Sequence, residues 1–240
     1  MDYPKSRVYC TPGLMQKIMG PNPVKLAEEL METEGRFIPA GSRVCDLGSG
    51  QGLTSVFLAK EYGLTVYAAD LWSDPEENRA FFRSMGLTDT QLIPVKADAC
   101  ALPFTPEFFD AVVSVDSYNY FGRDAAYLDE KLLPFVRSGG EICLAIPGMK
   151  RDCHDALPEA LLRSWTPEQL DYLHDAAWWT ALLRQSRGAE LCSVREMDSN
   201  DEVWADWLAQ DNDYARGDRA AMEAGGGAYL NFLAIRLRKK

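Results

Sequence analysis

The segment RVCDLGSGQG, residues 43–52, sets a β-like run closed by Asp46 against glycines at 48, 50 and 52. Glycine loses more backbone freedom on folding than any other residue, so this alternation is costly. A chain accepts that cost where it must turn tightly, or where its backbone must lie against a bound molecule. One glycine, or two, would serve a structural turn. Gly48, Gly50 and Gly52 together, after an acid, favour a ligand.

The surroundings give the turn a context. The run SRVCDLG before it reads as a strand, and GLTSVFLAKEYG after it as a helix ended by Gly63. Upstream, NPVKLAEELMETEG reads as a helix with Asn22 as cap and Pro23 at its first position. Downstream come the strand LTVYAAD, a helix capped by Asp74, and the strands QLIPVKAD and FDAVVSVD. A helix over residues 124–139 and a fifth strand, GEICLAIP, complete the alternation. Such alternation predicts parallel β-α-β units, and nearly continuous apolar strands predict helices on both faces.

After Pro147 the texture changes. Residues 148–165 read as a loop or short helix, and residues 166–188 as one long helix carrying Trp178 and Trp179. A sixth strand, AELCSVREM, an acidic helical stretch with Trp204 and Trp207 on one face, and an alternating last strand follow. The expected fold is a Rossmann-like, doubly wound, seven-stranded, mostly parallel sheet with an antiparallel last strand. It forms one domain: residues 1–40 an N-terminal helical lid and first helix, 41–148 a cofactor-binding core, and 149–240 a post-strand-5 insertion with substrate-side helices and the C-terminal strands.

A glycine turn between strand and helix places unpaired N–H groups and a positive dipole end beside whatever binds there. The dinucleotide signature is G-x-G-x-x-G, whereas this turn is G-x-G-x-G and follows an acid that would repel a pyrophosphate. Asp46 suits a positive amine instead. Asp70 ends the second strand, where a carboxylate accepts hydrogen bonds from both ribose hydroxyls. Asp98 ends the third, placed to accept from an exocyclic amine. One such acid alone is commonly a helix cap; three at consecutive strand ends are not explained that way.

These residues carry a resemblance. VCDLGSGQG resembles the first motif of class I S-adenosylmethionine-dependent methyltransferases, D/E-x-G-x-G-x-G. YAADLW, KADACALPF, FDAVVSVDSYNYF and LLPFVRSGGEICLAIPG resemble the later motifs in the same order, over residues 43–148. RSGG, residues 137–140, lacks the proline common before that glycine, a turn variation. The resemblance implies S-adenosylmethionine as cofactor, S-adenosylhomocysteine as product, and no metal. It implies Asp46 near the methionine amine, with Gly48, Ser49, Gly50 and Gly52 against the methionine and ribose portions. It further implies Asp70 on the ribose hydroxyls, Leu71 on the adenine face, Asp98 on the adenine amine and the Ala99 amide on a ring nitrogen.

Methyl transfer from a sulfonium needs positioning, desolvation and sometimes proton removal rather than a strong nucleophile. The acceptor is expected above the fourth strand, at Asp116, Tyr118, Asn119 and Tyr120; packing of the turn is an equal reading for the two tyrosines. Asp116 could touch either the methionine amine or the acceptor. His154 is a candidate general base, with a solvated loop residue the plainer reading. The apolar stretch YCTPGLMQKIMGPNP is expected to fold over the cofactor, with Tyr9 a contact. A non-catalytic S-adenosylmethionine-binding protein and a nicotinamide-dependent oxidoreductase are the rival readings.

Composition narrows the partners. A net charge of −11 disfavours nucleic acid, leaving a small-molecule acceptor. No run of ~18 apolar residues offers a membrane span, and the N-terminus lacks a signal-peptide core, so a cytoplasmic protein is expected. The six cysteines lack C-x-x-C pairing, so buried, reduced thiols are expected, Cys45, Cys143 and Cys192 within strands. That there are only two histidines, His154 and His174, weakens a metal reading further. Nothing distinguishes monomer from homodimer.

Overall fold

The strands order themselves by burial. β1 (Arg43–Leu47), β2 (Thr65–Asp70), β3 (Leu92–Lys96) and β4 (Phe109–Val115) are short apolar runs, and β5 (Val136–Met149) extends beyond them. With β6 (Ala189–Glu196) and β7 (Leu230–Lys239) they form one sheet in the order β3-β2-β1-β4-β5-β7-β6. β1 pairs in parallel with both β2 and β4, and β7 runs antiparallel to β5 and β6. This is the seven-stranded arrangement expected from the sequence. The coordinates are a computed structural model that describes residues 3–240; the first two residues of the expected lid lie outside that range.

Because β2 and β3 lie on one side of β1 and β4 on the other, the chain reverses direction in the sheet at β1. Open α/β sheets bind ligands outside the carboxyl ends of the strands at such a point. Helices cover both faces. Pro23–Thr33, Leu53–Tyr62 and Asn200–Leu208 bury Leu26, Phe57 and Trp207 on one face, while Ala176–Leu183 buries Trp179 on the other. Among the described residues no helix is long and apolar enough to cross a membrane.

Three expectations need correction. Residues 124–139 do not form a regular helix: a π-type turn, Leu128–Leu132, and a 3-10 turn, Leu133–Phe135, end where β5 begins. Pro134 cannot donate to a helical ladder, which explains the early stop. The long helix over 166–188 divides into Pro167–Leu170 and Ala176–Leu183. Thr166 closes a capping box on the first and Asp175 caps the second, so two start signals override one apolar period. Cys100 and Cys192 are exposed rather than buried, Cys192 beside a register shift between Leu191 and Ser193.

Gly52 shows what the turn demands. Its φ is +80°, and a Cβ there would overlap the Phe82 ring of the helix Pro75–Ser84. Gly217, exposed within the helix Asp213–Glu223, has nothing within 4 Å of such a Cβ. Gly52→Ala should therefore lose about 1–3 kcal/mol of unfolding free energy in urea, whereas Gly217→Ala should gain about 0.5–1 kcal/mol.

Candidate active site

A cavity of about 490 Å³ opens at the carboxyl ends of β1, β2 and β4. That volume falls within the range of ~300–1,000 Å³ for small-molecule sites. The glycine turn, Asp70, Leu71, Trp72, Asp98 and Ala99 line one part of it, and Asp116, Ser117, Tyr120 and Phe121 another. Residues 17–21 of the N-terminal segment cover it.

The turn is built by its own hydrogen bonds. Gly48 and Ser49 N–H both donate to Ala69 O, at 2.8 and 3.2 Å, and Gly50 N–H donates to Asp70 Oδ2 at 2.9 Å. Asp70 thereby ties the turn to β2. Its Oδ1 accepts from Trp72 N–H at 2.8 Å and Ser73 N–H at 2.7 Å. Burial opposes the charge on Asp70, but these bonds outweigh it and hold the carboxyl below the usual range. Ser73 Oγ lies 2.5 Å from Gly50 O and 2.8 Å from Asp70 Oδ1. A hydroxyl carries one proton, so when Gly50 O takes it, Asp70 keeps a lone pair for an O–H donor.

Two observations fit a nucleoside-bearing cofactor here. Gly50 has φ +53°, and only Met19 Sδ, at 3.6 Å, stands near the place a Cβ would occupy, so its backbone is bare toward the cavity. Ser49 is buried at the cavity wall, and its hydroxyl has no partner among the described residues. A buried hydroxyl left unpaired is costly, which a ligand acceptor or donor relieves. Asp98 is oriented by Cys100 N–H at 2.8 Å and stays exposed.

Asp116 is the unusual acid. It ends β4 in the left-handed region at φ +56°, strain that a non-glycine residue bears only when its surroundings hold it there. Its N–H donates to Ala145 O at 2.7 Å, and Gly20 of the cover sits against its carboxylate with no room for a side chain. Burial, with Asp218 adding repulsion, pushes its pKa up to about 7. Asp218 accepts from Trp207 Nε1 at 2.8 Å and is itself raised by burial.

Several expected site residues lie elsewhere. Asp46 is buried beneath the turn, bonded by Ser55 Oγ at 2.5 Å, with its pKa pushed up to about 7 by burial and then by Asp70. Gly52 belongs to helix packing. Tyr9 is buried against Phe57, and its hydroxyl donates to Glu61 at 2.6 Å, so it forms part of the core. Tyr118 is fully buried among Tyr127, Phe121 and Trp179. Asn119 is buried too, with neither amide atom partnered among the described residues. His154 sits with Asp152 and His174 outside the cavity lining. The cavity instead recruits Met19, Trp72 and Phe121, which sequence reasoning missed. Trp72 had a signal, a large aromatic two residues past a strand-end acid; Met19 had only its place in the apolar N-terminal stretch.

The family model for a methyltransferase domain matches residues 44–140. Over those residues the chain is similar to class I S-adenosylmethionine-dependent methyltransferases. It is 28% identical over 153 residues to methyltransferase GfsG of Streptomyces halstedii, covering 62% of this chain and 54% of that protein. It is also 28% identical over 125 residues to a sarcosine/dimethylglycine N-methyltransferase of Aphanothece halophytica, covering 52% and 44%. The chain thus spans about half the length of these curated relatives. Among solved structures, the [4+2]-cyclase SpnF aligns with a TM-score of 0.72 at 14% identity, over 98% of this chain and 95% of that one. Phosphoethanolamine N-methyltransferase 2 of Haemonchus contortus, bound to S-adenosylhomocysteine, aligns at 0.71 and 17% identity, over 98% and 58%. Solved structures of this fold hold S-adenosylmethionine or S-adenosylhomocysteine.

The raised pKa of Asp116 has a consequence for stability. Between its ordinary value near 3.8 and about 7, the folded state binds the proton more tightly than the unfolded state does. Stability from this group is therefore full below pH ~4 and declines as pH rises toward 7. Asp116→Asn should remove that decline, so the stability difference between variant and parent should shift in the variant's favour by up to a few kcal/mol from pH 4.5 to 7.5, read by chemical denaturation.

Proposed function

We propose that this protein transfers the methyl group of S-adenosylmethionine to a small-molecule acceptor by in-line displacement. The single observation that carries the reading is the division of one cavity between two sets of groups. The glycine turn, Asp70 and Asp98 form one end, and Asp116, Tyr120 and Phe121 the other. The bound cofactor supplies a methyl carbon already activated by a sulfonium. What the chain must add is grip, orientation and exclusion of water.

In this reading Asp70 accepts from the ribose hydroxyls, with Ser73 yielding its proton to Gly50 O. Asp98 accepts from the adenine amine, the Ala99 amide faces a ring nitrogen, and Leu71 and Trp72 bracket the ring. The Ser49 hydroxyl and the bare Gly50 backbone meet the methionine portion. Asp116 takes the amine of that portion or the acceptor, and the cover of residues 17–21 excludes water. Tyr120, exposed at the acceptor end, positions the acceptor. A small acceptor is supported by the cavity volume, by a charge of −11 that disfavours polyphosphate partners, and by small-molecule names among the relatives and neighbours.

Calorimetry should show S-adenosylhomocysteine binding, with NAD at least ~10-fold weaker; Asp98→Ala should cost about 1–3 kcal/mol of that affinity. Tyr120→Phe should leave cofactor affinity within a few-fold and lower turnover roughly 10²-fold. The substrate to assay comes from metabolite pools incubated with isotopically labelled methyl donor. A cofactor that binds while no pool yields labelled product would establish the non-catalytic reading instead.

A further inference from the structure

Beyond β5 the chain carries Asp152 and His154 into a loop, and the break between Pro167–Leu170 and Ala176–Leu183 returns His174 over it. One ligand-capable atom from each of Asp152, His154 and His174 lies within 4.8 Å of the others. None of these residues lines the cofactor cavity.

The hydrogen bonds fix the chemistry further. His154 Nε2 lies 3.2 Å from Leu170 O, and a carbonyl only accepts, so Nε2 carries a proton. That places Nδ1 3.0 Å from Asp152 Oδ1. In neutral imidazole two lone pairs would then face each other, so the contact calls for a cation between them: a proton or a metal ion. His174 is only 8% exposed, and its Nδ1 has no partner among the described residues. Its ring lies flat on Trp178, 3.6 Å between centroids at 9°, which fixes its plane.

We infer that Asp152, His154 and His174 hold one divalent transition-metal ion, zinc by ligand type, with a fourth position left to water. Two imidazoles and a carboxylate are zinc ligands, and a tetrahedral ion with bonds of ~2.0–2.1 Å separates neighbouring ligand atoms by about 3.3 Å, close to the observed contact. A ligating histidine that donates its other N–H to a backbone carbonyl has the usual outer-shell support, supplied here by Leu170. The third ligand is independently held: Met149 N–H donates to His174 O at 3.2 Å, and Gly148 is glycine where a Cβ would strike that same oxygen. The ion would pin the segment after β5 to the end of that strand. Tyr172, two residues before His174, packs on Tyr120 at the acceptor end of the cavity, with 5.2 Å between ring centroids. The inference departs from the sequence reading, in which a count of only two histidines weakened a metal site.

Chelator-treated full-length protein titrated with Zn²⁺ against a chromophoric chelator should bind one equivalent, at micromolar dissociation constant or tighter. His154→Ala and His174→Ala should each weaken that binding at least tenfold, and Zn²⁺ should raise the thermal midpoint of the parent but not of the variants. Co²⁺ should give the visible absorption of a four-coordinate nitrogen and oxygen site without thiolate charge transfer, a reading that needs no variant to fold. Absence of stoichiometric binding would overturn the inference and leave an imidazolium–carboxylate pair. A thiolate band, or variants that bind like the parent, would overturn it in favour of the free cysteines.

Discussion

Three left-handed residues within five positions, Gly48, Gly50 and Gly52, constrain everything above the sheet. Their φ values of +78°, +53° and +80° let the chain leave β1, double back under Asp70 and enter a helix with no side chains in the way. Each has a different neighbour. A Cβ at Gly48 would strike Ser117, one at Gly52 would strike Phe82, and one at Gly50 would stand in the cavity. The turn therefore brings β1 against the end of β4 and seats one helix on another, while exposing a single stretch of backbone to a ligand. Asp70 sustains it by accepting from Gly50, Trp72 and Ser73 at once. A residue that looks like a ligand contact in the sequence is equally a clasp of the fold.

The acids at the strand ends look alike in sequence and differ in charge. Asp70 stays ionised because backbone N–H groups surround it, whereas Asp116 is raised by burial and by the facing Asp218. Asp46, the acid of the glycine motif, is raised by burial and by Asp70. A cationic ligand group reaching Asp116 would restore its negative charge, since an opposite charge favours the ionised form. Binding of such a group should then be linked to release of a proton.

The sheet was legible because its signals are local: apolar runs, glycine turns and caps repeat at β-α-β spacing, and the order of strands follows from them. The cavity was legible where it is backbone-built, at Gly48 to Gly50, Asp70, Asp98 and Asp116. It was illegible where side-chain direction decides. Tyr118, Asn119 and Tyr120 are consecutive on one helical turn, Tyr118–Phe121, so a rotation of about 100° per residue sends the first two into the core and the third to the cavity. Tyr9 and Met19 lie on the same apolar N-terminal stretch, yet only Met19 reaches the site. Tertiary packing, which leaves no mark at that range, chooses between them. The nearness of His154 and His174 was hidden for the same reason, since the break at residues 171–175 that brings them together lies inside an apolar period.

The fold does not by itself dictate the reaction. The [4+2]-cyclase SpnF superposes on this chain at least as well as a methyltransferase does, with TM-scores of 0.72 and 0.71. Function on a shared fold resides in the site. In this chain one end of the cavity is built from strand ends and the glycine turn. At the other end the segment after β5 and the helices after β6 meet the end of β4. In this chain that meeting is aromatic and acidic: Tyr120 on Tyr172, Asp218 on Trp207, and Arg123 over the Tyr172 ring at 4.2 Å. Burial and then Asp218 raise the pKa of Asp116, so a further positive charge at that carboxyl would favour its ionised form. The electrostatic strain at that end is thus relieved by a cationic or hydrogen-bond-donating molecule and aggravated by an anionic one.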